Sequence, residues 1–259
     1  MSIDNLNIAD FFPELGNFAH RAIFGGVTRP WDIFGKIHDY ILGNFPDGHE
    51  ENSLPYGIEL QKSHDGEGIL FCVSPVKLQK DLLCASLKIR IGAGTIIEPT
   101  ACIKGPSLIG GGCEIRHGAY LRGDVIAGDV CTLGHTTEIK RSILMNHTEA
   151  GHFNYIGDCV IGSYVNLGAG TKLANLKFRT PEDKKAVAFP EITFTYEGKR
   201  MNTGISKFGA IIGDYCEAGC NSVFSPAVMM GAQCWVYPNI TVPSGYYPPK
   251  SVIRGGPKR

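Results

Sequence analysis

Residue types that can do chemistry are concentrated between residues 116 and 175. Arg122 and Lys140 lie eighteen residues apart in this segment, and a guanidinium with an ammonium group is a common pair for binding phosphate. The segment also contains three histidines spaced eighteen and seventeen residues apart: His117, His135 and His152. An imidazole changes charge near neutral pH and can accept a proton or bind a metal ion. These groups form one site only in a fold that stacks residues about eighteen positions apart.

A repeat of six residues predicts such a fold. From Ile91 to Met145 an aliphatic or small apolar residue recurs at every sixth position, and the series resumes after each of two breaks. A period of six fits neither an α-helix nor a strand alone. It fits a triangular coil of eighteen residues, in which short strands alternate with tight turns. Arg122 and Lys140 are then one coil apart, so we expect them to stack at one corner as a phosphate clamp.

The composition is typical of this repeat. Four residues after each member of the series lies a second small or branched residue, and five of the nine cysteines occupy that slot: Cys113, Cys131, Cys159, Cys216 and Cys234. An odd number of cysteines with no Cys-x-x-Cys pair argues against a disulfide framework and a structural zinc site, so these thiols are predicted to pack inside. Many of the 33 glycines follow the aliphatic residue, where a turn needs positive φ or a neighbouring coil needs room.

Two breaks interrupt the repeat. The longer spacing before Ile161 predicts a small bulge in residues 146–152, after which the series resumes at Tyr155. A longer insertion, residues 176–207, is rich in charge, and its alternating stretch at 191–196 predicts a strand that ends in a turn. Excursions from a regular solenoid commonly carry binding groups, so the insertion is a candidate arm or lid.

The chain is predicted to contain two regions. Residues 1–84 form an N-terminal helical and irregular region, and residues 85–259 form a β-helix domain. Apolar spacing, proline and glycine positions predict two helices and one strand in the first region, at residues 8–24, 30–43 and 68–73. We expect the helices to cover the open end of the solenoid.

The net charge excludes several kinds of partner. The 259 residues carry 25 Lys and Arg against 25 Asp and Glu, so no long-range field favours nucleic acid or an anionic membrane. The sequence has no long apolar run and its first residues do not resemble a signal peptide, which predicts a cytoplasmic location. We therefore expect small-molecule substrates.

The most specific motifs are Ala-Gly-His152, Tyr155-Ile-Gly-Asp158, Asn166-Leu-Gly-Ala169-Gly and Asn175-Leu-Lys-Phe178. They resemble hexapeptide-repeat acyltransferases. The resemblance is to the acetyltransferase domain of the bifunctional UDP-N-acetylglucosamine pyrophosphorylase/glucosamine-1-phosphate N-acetyltransferases and of archaeal sugar-1-phosphate nucleotidylyltransferases, and it covers about residues 90–259. It implies a mainly β chain, folded as a left-handed parallel β-helix and assembled as a homotrimer. The N-terminal α-helical region predicted from the residues themselves would precede this domain.

The resemblance also implies an activity. The chain would be an acetyl-CoA-dependent N-acetyltransferase that acts on an amino-sugar 1-phosphate, such as glucosamine-1-phosphate, for UDP-N-acetyl sugar synthesis. Acetyl-CoA would be the co-substrate, and no metal would be required. The nucleotidyltransferase domain of the related bifunctional enzymes has no counterpart in residues 1–90, so we expect no pyrophosphorylase activity.

Individual residues take roles from the resemblance. His152 matches the general base, and Glu138 would face that base and orient it. The substrate would be bound by residues that match the family's sugar and phosphate ligands: Arg122, Lys140, Tyr155, Asn166 and Lys207. On the cofactor side, Ala169 would offer its backbone amide to the acetyl group and Cys220 would lie near the thioester. Arg254 and the basic tail Lys250, Lys258 and Arg259 would contact coenzyme A phosphates.

Two other functions stay open. Zinc-dependent γ-type carbonic anhydrases share the repeat, and the chain contains Arg122-Gly-Asp124 together with the three spaced histidines, although Gly111 stands where those enzymes have a further histidine. The chain would alternatively be an inactive scaffold. The missing nucleotidyltransferase domain and the long insertion motivate that hypothesis.

Overall fold

A computed structural model describes residues 6–45, 53–63 and 65–255. In these residues the backbone forms a triangular β-helix whose three faces are each a nine-stranded sheet. Strands in the body of the helix pair in parallel with the strand one coil away, for example Leu121 with Ile139. The mainly β fold that the repeat and the resemblance imply, a left-handed parallel β-helix, is confirmed.

Each coil contributes one short strand to each face. Face 1 contains β1 (Ile58–Lys62), β2 (Gly68–Cys72), β7 (Cys102–Lys104), β10 (Tyr120–Arg122), β13 (Glu138–Lys140), β16 (Tyr155–Gly157), β19 (Lys172–Leu173), β24 (Val223–Phe224) and β27 (Thr241–Val242). Face 2 contains β4 (Leu82–Cys84), β5 (Ile89–Ile91), β8 (Ser107–Ile109), β11 (Val125–Ala127), β14 (Ser142–Leu144), β17 (Val160–Ile161), β22 (Ala210–Ile212), β25 (Val228–Met230) and β28 (Gly245–Tyr247). Face 3 contains β3 (Val76–Lys77), β6 (Ile96–Ile97), β9 (Glu114–Ile115), β12 (Thr132–His135), β15 (Glu149–His152), β18 (Asn166–Leu167), β23 (Glu217–Ala218), β26 (Trp235–Val236) and β29 (Val252–Ile253).

The interior of the coils is apolar and includes the cysteines. The five cysteines of the small slot are buried in one core cluster with the aliphatic series, and none of the nine cysteines forms a disulfide with another described residue. Their thiols donate hydrogen bonds to backbone carbonyls, as Cys131 Sγ does to Met145 O at 3.0 Å. Burial raises the pKa of the Cys159 thiol well above its ordinary value, which keeps it protonated. The predicted packing role of these cysteines is confirmed.

The phase of the repeat was predicted wrongly around residue 145. Leu144, rather than Met145, lies in the inner core, and Ile156, rather than Tyr155, is its counterpart on face 1. The steps from face 1 to face 2 at these coils are five residues long, so the coil loses one residue at that corner. The predicted bulge in residues 146–152 is therefore wrong, because β15 continues in register with β12.

The glycines after the aliphatic residues serve close approach between coils. At Gly134 an added Cβ would overlap the carbonyl group of Gly151 in the next coil, and φ there is not positive. The positive-φ corners are occupied largely by other residue types, such as Thr136 at 51° and Phe153 at 53°. The expectation of positive-φ glycines at this slot is wrong, whereas the expectation of room for a neighbouring coil is confirmed.

We expect Gly134→Ala to destabilise the fold, because a methyl group there overlaps backbone that cannot shift without separating two coils. The loss should be about 2 kcal/mol or more in the free energy of unfolding, measured by urea denaturation. Gly151→Ala is the matched control on the next coil, since its Cβ would meet only the end of Arg116 at 3.6 Å. Equal stability of the two variants would contradict this packing constraint.

The N-terminal opening of the β-helix is closed by strands that run the opposite way. β2 pairs antiparallel with β7, β3 with β6, and β4 with β5. These strands belong to residues that the sequence places before the repeat domain, and the predicted strand at residues 68–73 is confirmed as β2. The division at residue 84 stays a prediction.

The N-terminal helical segments pack on the outside of face 2, so the predicted cap over the open end is wrong. The segments are α1 (Ile8–Phe11), 3-10 turns at Leu15–Asn17, Arg21–Phe24 and Pro30–Gly35, and α2 (Ile37–Gly43). Phe11, Trp31 and Phe34 share an apolar cluster with outward residues of face 2 such as Ile126 and Ile143. The helices are shorter than predicted, because proline and glycine interrupt residues 8–24. No helix in the described ranges is long and apolar enough to cross a bilayer.

The second half of the insertion is joined to this cluster. Within the insertion, α3 spans Pro181–Lys185, and β20 (Thr193–Tyr196) pairs with β21 (Lys199–Asn202) as a hairpin. The predicted strand and turn are confirmed. Phe194 is buried in the face 2 cluster, and Trp31 Nε1 donates a hydrogen bond to Thr203 O at 3.1 Å. In contrast, Phe178 near the start of the insertion is fully exposed.

A buried carboxyl group joins the N-terminal segment to the coils. Asp214 is fully buried and accepts hydrogen bonds from the backbone nitrogens of Glu14 and Ser163, both at 2.7 Å. Its own backbone nitrogen donates to Phe11 O at 2.8 Å. Burial raises the pKa of the Asp214 carboxyl from 3.8 to about 6.

This raised pKa predicts a pH-dependent stability. Well below pH 4 the carboxyl is neutral in both folded and unfolded chains, whereas above pH 6 the folded chain must bury the charge. The wild-type free energy of unfolding should therefore fall, relative to Asp214→Asn, by roughly 2 kcal/mol between pH 4 and pH 7. Urea denaturation across this range measures the difference. Asp129→Asn is the control, because the exposed Asp129 accepts an equivalent bond from Gly111 N; a pH-independent difference for Asp214→Asn would contradict the prediction.

Candidate active site

The corner between faces 3 and 1 stacks several of the predicted residues in one column. His135 is in register with His152, and the pairing of Glu149 with Asn166 places Ala169 beside His152 in the next coil. Gly170 N donates to His152 O at 2.9 Å, and Asn221 N donates to Ala169 O at 2.8 Å. We call this column the His152 corner, and it consists of His117, His135, His152, Ala169 and Cys220.

The imidazoles of this corner differ in their contacts. The rings of His117 and His135 stack with centroids 5.3 Å apart. His135 Nδ1 donates to His117 O at 3.1 Å, since a carbonyl can only accept, so its Nε2 is left as the free nitrogen. His152 is exposed, and its ring makes no hydrogen bond to any residue that the structure describes. Of the three, His152 has the ring nitrogens most open to a ligand.

The backbone around His152 leaves one donor open. The amide nitrogen of Ala169 makes no hydrogen bond within the described part of the chain, and Ala169 is only half-buried. A free amide next to an open imidazole can stabilise negative charge on an oxygen atom while the imidazole accepts a proton. This pair of groups is what proton transfer coupled to attack on a carbonyl requires.

Face 1 carries the predicted cations. Arg122 and Lys140 end strands β10 and β13, which are in register, so the predicted stacking in adjacent coils is confirmed. Arg141 follows Lys140, and its Nη2 donates to Lys207 O at 3.5 Å at the base of the insertion. We call Arg122, Lys140, Arg141 and Lys207 the cation cluster.

Glu138 lies beside Arg122 rather than beside His152. Its Oε1 is 2.6 Å from Arg122 Nη1. No contact between Glu138 and the His152 imidazole is present among the described residues, so the expected orienting role has no support within one chain. The ion pair holds the Arg122 guanidinium in place. The Glu138 carboxylate neutralises part of its positive charge.

Tyr155 stands in register with Glu138 and points outward. Its hydroxyl donates to Asn175 Oδ1 at 3.4 Å. Burial, followed by the charges of Glu138 and Asp158, raises the pKa of Tyr155 to about 12. The phenol is therefore neutral at physiological pH and available as a hydrogen-bond donor and acceptor.

Lys140 is in a strongly positive environment. Burial is the first cause that lowers its pKa; the neighbouring cations Lys207, Arg122 and Arg141 lower it further, while Asp158 raises it. Asp158 Oδ2 lies 4.0 Å from Lys140 Nζ. Four cations face the two carboxylates of Glu138 and Asp158, so the cluster lacks negative charge that a phosphate would supply.

Asn166, Cys220 and Arg254 lie on face 3, away from the cation cluster. Asn166 and Cys220 border an open cleft of about 480 Å³ whose lining includes Trp235 and Tyr237, and Arg254 contacts Tyr237. Asn166 Nδ2 donates to Glu217 Oε2 at 2.9 Å, and the Arg254 guanidinium lies 5.7 Å from the Tyr237 ring centroid. The predicted Lys258 and Arg259 fall outside the described residues. The structure thus separates one predicted sugar ligand, Asn166, from the others.

Sequence reasoning missed part of the site. Asp158 and Asn175 were present in the motifs and Arg141 directly follows Lys140, but none of the three was given a role, although Asp158 is almost fully buried and bonded to both of the others. The burial of Asp158 is not visible in the sequence, and the one available signal is that Asp158 follows Arg141 by seventeen residues, which is one coil. A metal site is not formed by the histidines: no group of three His, Cys, Asp or Glu in the described residues is arranged to hold a metal ion.

The fold and the site together define a hexapeptide-repeat β-helix protein with a cluster of four cations on and beside face 1 and an open imidazole at the adjacent corner. No protein-family model matches the chain. Individual relatives do match the chain. It is 38% identical over 107 residues to the bifunctional sugar-1-phosphate nucleotidylyltransferase/acetyltransferase of Sulfurisphaera tokodaii, and the alignment covers 41% of this chain and 24% of that protein.

The resemblance found in the motifs is thereby confirmed. The chain is also 35% identical over 101 residues to the bifunctional protein GlmU of Methanocaldococcus jannaschii, covering 39% of this chain and 22% of that protein. The aligned region is about a quarter of the length of these relatives. Among solved structures, the polysialic-acid-specific acetyltransferase NeuO superimposes with a TM-score of 0.26 and 14% identity, over 59% of this chain and 80% of that one.

The lowered pKa of Lys140 predicts a pH-dependent anion affinity. Because Lys140 loses its proton at lower pH than an ordinary lysine, the affinity for inorganic phosphate should fall between pH 8 and pH 10 in the wild type. In Lys140→Arg the guanidinium stays charged, so the fall should be several-fold smaller. Isothermal titration calorimetry measures both. Parallel pH profiles for the two proteins would contradict a role for Lys140 in anion binding.

Proposed function

We propose that the chain is an acetyl-CoA-dependent N-acetyltransferase that acts on an amino-sugar 1-phosphate of the glucosamine-1-phosphate type. The observation that carries this proposal is the stacking of His152 beside the open amide of Ala169, next to a face that presents four cations. The similarity to proteins whose names include sugar-1-phosphate nucleotidylyltransferase and acetyltransferase supports it.

The chemistry requires one proton acceptor and one oxyanion donor. His152 takes a proton from the sugar amine as its nitrogen attacks the thioester carbonyl, and the Ala169 amide stabilises the charge on the carbonyl oxygen. The C–N bond forms, the C–S bond breaks, and the proton held by His152 is delivered to the departing thiolate of coenzyme A. The reactants, an amine and a thioester, and the products, an amide and a thiol, therefore balance in atoms and in charge.

Three members of the cation cluster, Arg122, Lys140 and Lys207, would bind the phosphate of the sugar. Arg122 and Lys140 reach it from adjacent coils, Lys207 reaches it from the base of the insertion, and Tyr155 offers its neutral hydroxyl to the sugar. The cleft beside Cys220 would hold coenzyme A, with Arg254 at its edge. Asn166 borders this cleft, so in a single chain it would meet the cofactor side.

The site would be completed in a homotrimer. Phe153, directly after His152, is 52% exposed, and an apolar side chain beside a catalytic corner suits coverage by a second copy of the chain. Face 2 is already covered by the N-terminal segments, so faces 1 and 3 are the ones left for a neighbour. Glu138 could then orient an imidazole across the interface.

The product would be a substrate for a nucleotidyltransferase in UDP-N-acetyl sugar synthesis.

The mechanism predicts that His152→Ala lowers kcat by about 10²-fold to 10⁴-fold, because the amine is no longer deprotonated during attack. Thiol release from acetyl-CoA, measured with glucosamine-1-phosphate and with galactosamine-1-phosphate, follows the reaction. His147→Ala is the control, since His147 stacks on Tyr164 at another corner.

The outcomes separate the candidate functions. Full activity of His152→Ala would refute the mechanism, and no thiol release with either sugar would refute the substrate. Stoichiometric zinc or iron in protein purified without chelators would instead support the carbonic anhydrase hypothesis. Absence of every activity and of coenzyme A binding would support the scaffold hypothesis.

A further inference from the structure

The corner between faces 1 and 2 carries an ion pair that the proposed mechanism does not use. Asp124, Arg141 and Asp158 occupy this corner in three successive coils, each with positive φ, at 53°, 40° and 55°. Arg141 N donates to Gly123 O at 3.0 Å, and Asp158 N donates to Lys140 O at 3.2 Å. The stacked backbone therefore fixes the Asp158 carboxylate directly beside the Arg141 side chain.

Asp158 is a buried carboxylate with several donors. Its side chain is 1% exposed. One oxygen accepts from Arg141 Nε, and the other accepts from Asn175 Nδ2 and lies 4.0 Å from Lys140 Nζ. Burying a carboxylate is costly unless it is paired and hydrogen-bonded. The buried Asp158 carboxylate therefore holds its donors, including the Arg141 guanidinium, in fixed positions.

Arg141 is anchored on one side only. Nε is bound to Asp158, and Nη2 donates to Lys207 O at 3.5 Å. Nη1 has no hydrogen-bond partner in the part of the chain that the structure describes, and the side chain is 37% exposed. A guanidinium has five N–H donors in a rigid fork, so Arg141 retains donors for an external anion.

Charge around this corner favours such an anion. Glu138 pairs with Arg122, and the single carboxylate of Asp158 is shared between Lys140 and Arg141. The ammonium of Lys207 has no carboxylate within ion-pair distance among the described residues. The four cations therefore exceed the two carboxylates by two positive charges, which a phosphate carrying two negative charges would balance.

From this geometry we infer that Arg141 is a phosphate-binding residue of the site, and that Asp158 is the positioning residue that aims its guanidinium. The inference rests on the proposed function for the identity of the phosphate as that of an amino sugar. Arg141 would supply the planar, two-point contact that a lysine cannot, while Asp158 never touches the substrate.

The first experiment measures the affinity of the full chain for inorganic phosphate by isothermal titration calorimetry, which needs no catalysis. Arg141→Ala should weaken binding by about tenfold or more, and Arg141→Lys should weaken it nearly as much because the fork is lost. Asp124→Asn is the matched control at the same corner, where Asp124 contacts His38 instead, and it should bind phosphate like the wild type. Wild-type affinity in Arg141→Ala would overturn the inference.

The second experiment tests positioning with a double-mutant cycle of Asp158→Asn and Arg141→Ala. If Asp158 acts through Arg141, the double variant should bind phosphate no more weakly than Arg141→Ala alone. Additive losses would overturn the positioning role. If Asp158→Asn does not fold, as judged by circular dichroism, Asp158→Glu replaces it in the cycle, with the same expectation of non-additive loss.

Kinetics then link the inference to the proposed reaction. In Arg141→Lys the KM for glucosamine-1-phosphate should rise about tenfold, while kcat and the KM for acetyl-CoA stay close to wild type, a split that general destabilisation would not produce. A wild-type protein that binds phosphate through Arg141 but releases no thiol would refute the proposed function and leave the anion site standing. Thiol release with an unchanged KM in Arg141→Lys would refute the inference alone.

Discussion

The close stacking of one coil on the next is the constraint on which the rest of the molecule depends. Backbone hydrogen bonds hold neighbouring strands about 4.8 Å apart. Each coil is seventeen or eighteen residues long, so residues separated by that number lie one above the other at a corner. Gly134 shows how little space this leaves, since even a methyl group would overlap the next coil. The same stacking converts residues distant in sequence into columns of adjacent side chains, and both halves of the candidate site are such columns.

Each face of the triangle has a different environment, and this divides the work of the chain. Face 2 is buried on both sides, because the N-terminal aromatic residues and the hairpin of the insertion pack against it. Faces 1 and 3 keep polar and charged residues outward. The His152 corner lies where these two open faces meet. A ligand therefore reaches the imidazole and the cations from the same side of the molecule.

Sequence reasoning predicted the coil, because an apolar period of six leaves a direct trace in the residues, and it predicted the stacking of Arg122 on Lys140 for the same reason. It misplaced Met145 and Tyr155, because a coil that is one residue shorter shifts the phase without any unusual residue to mark it. The packing of the N-terminal segment was misjudged, although paired apolar residues such as Ile143 and Leu144 mark strands buried on both sides. The roles of Arg141 and Asp158 depend on burial and on contacts with the distant Lys207, which no local pattern reports.

The place where the insertion leaves the β-helix has a consequence for how such proteins diversify. The excursion begins after β19 and returns before β22, and a hydrogen bond from Phe208 N to Asn175 O, 3.1 Å long, closes its base. β17 and β22 pair across it as though nothing intervened. The loop can therefore lengthen, shorten or be exchanged while every coil keeps its neighbours, since loop length alone alters the folding entropy only slowly. Because Asn175 and Lys207 stand at that base, any exchanged loop would be grafted directly onto the cations, and a lineage could acquire a new substrate preference without rebuilding its scaffold.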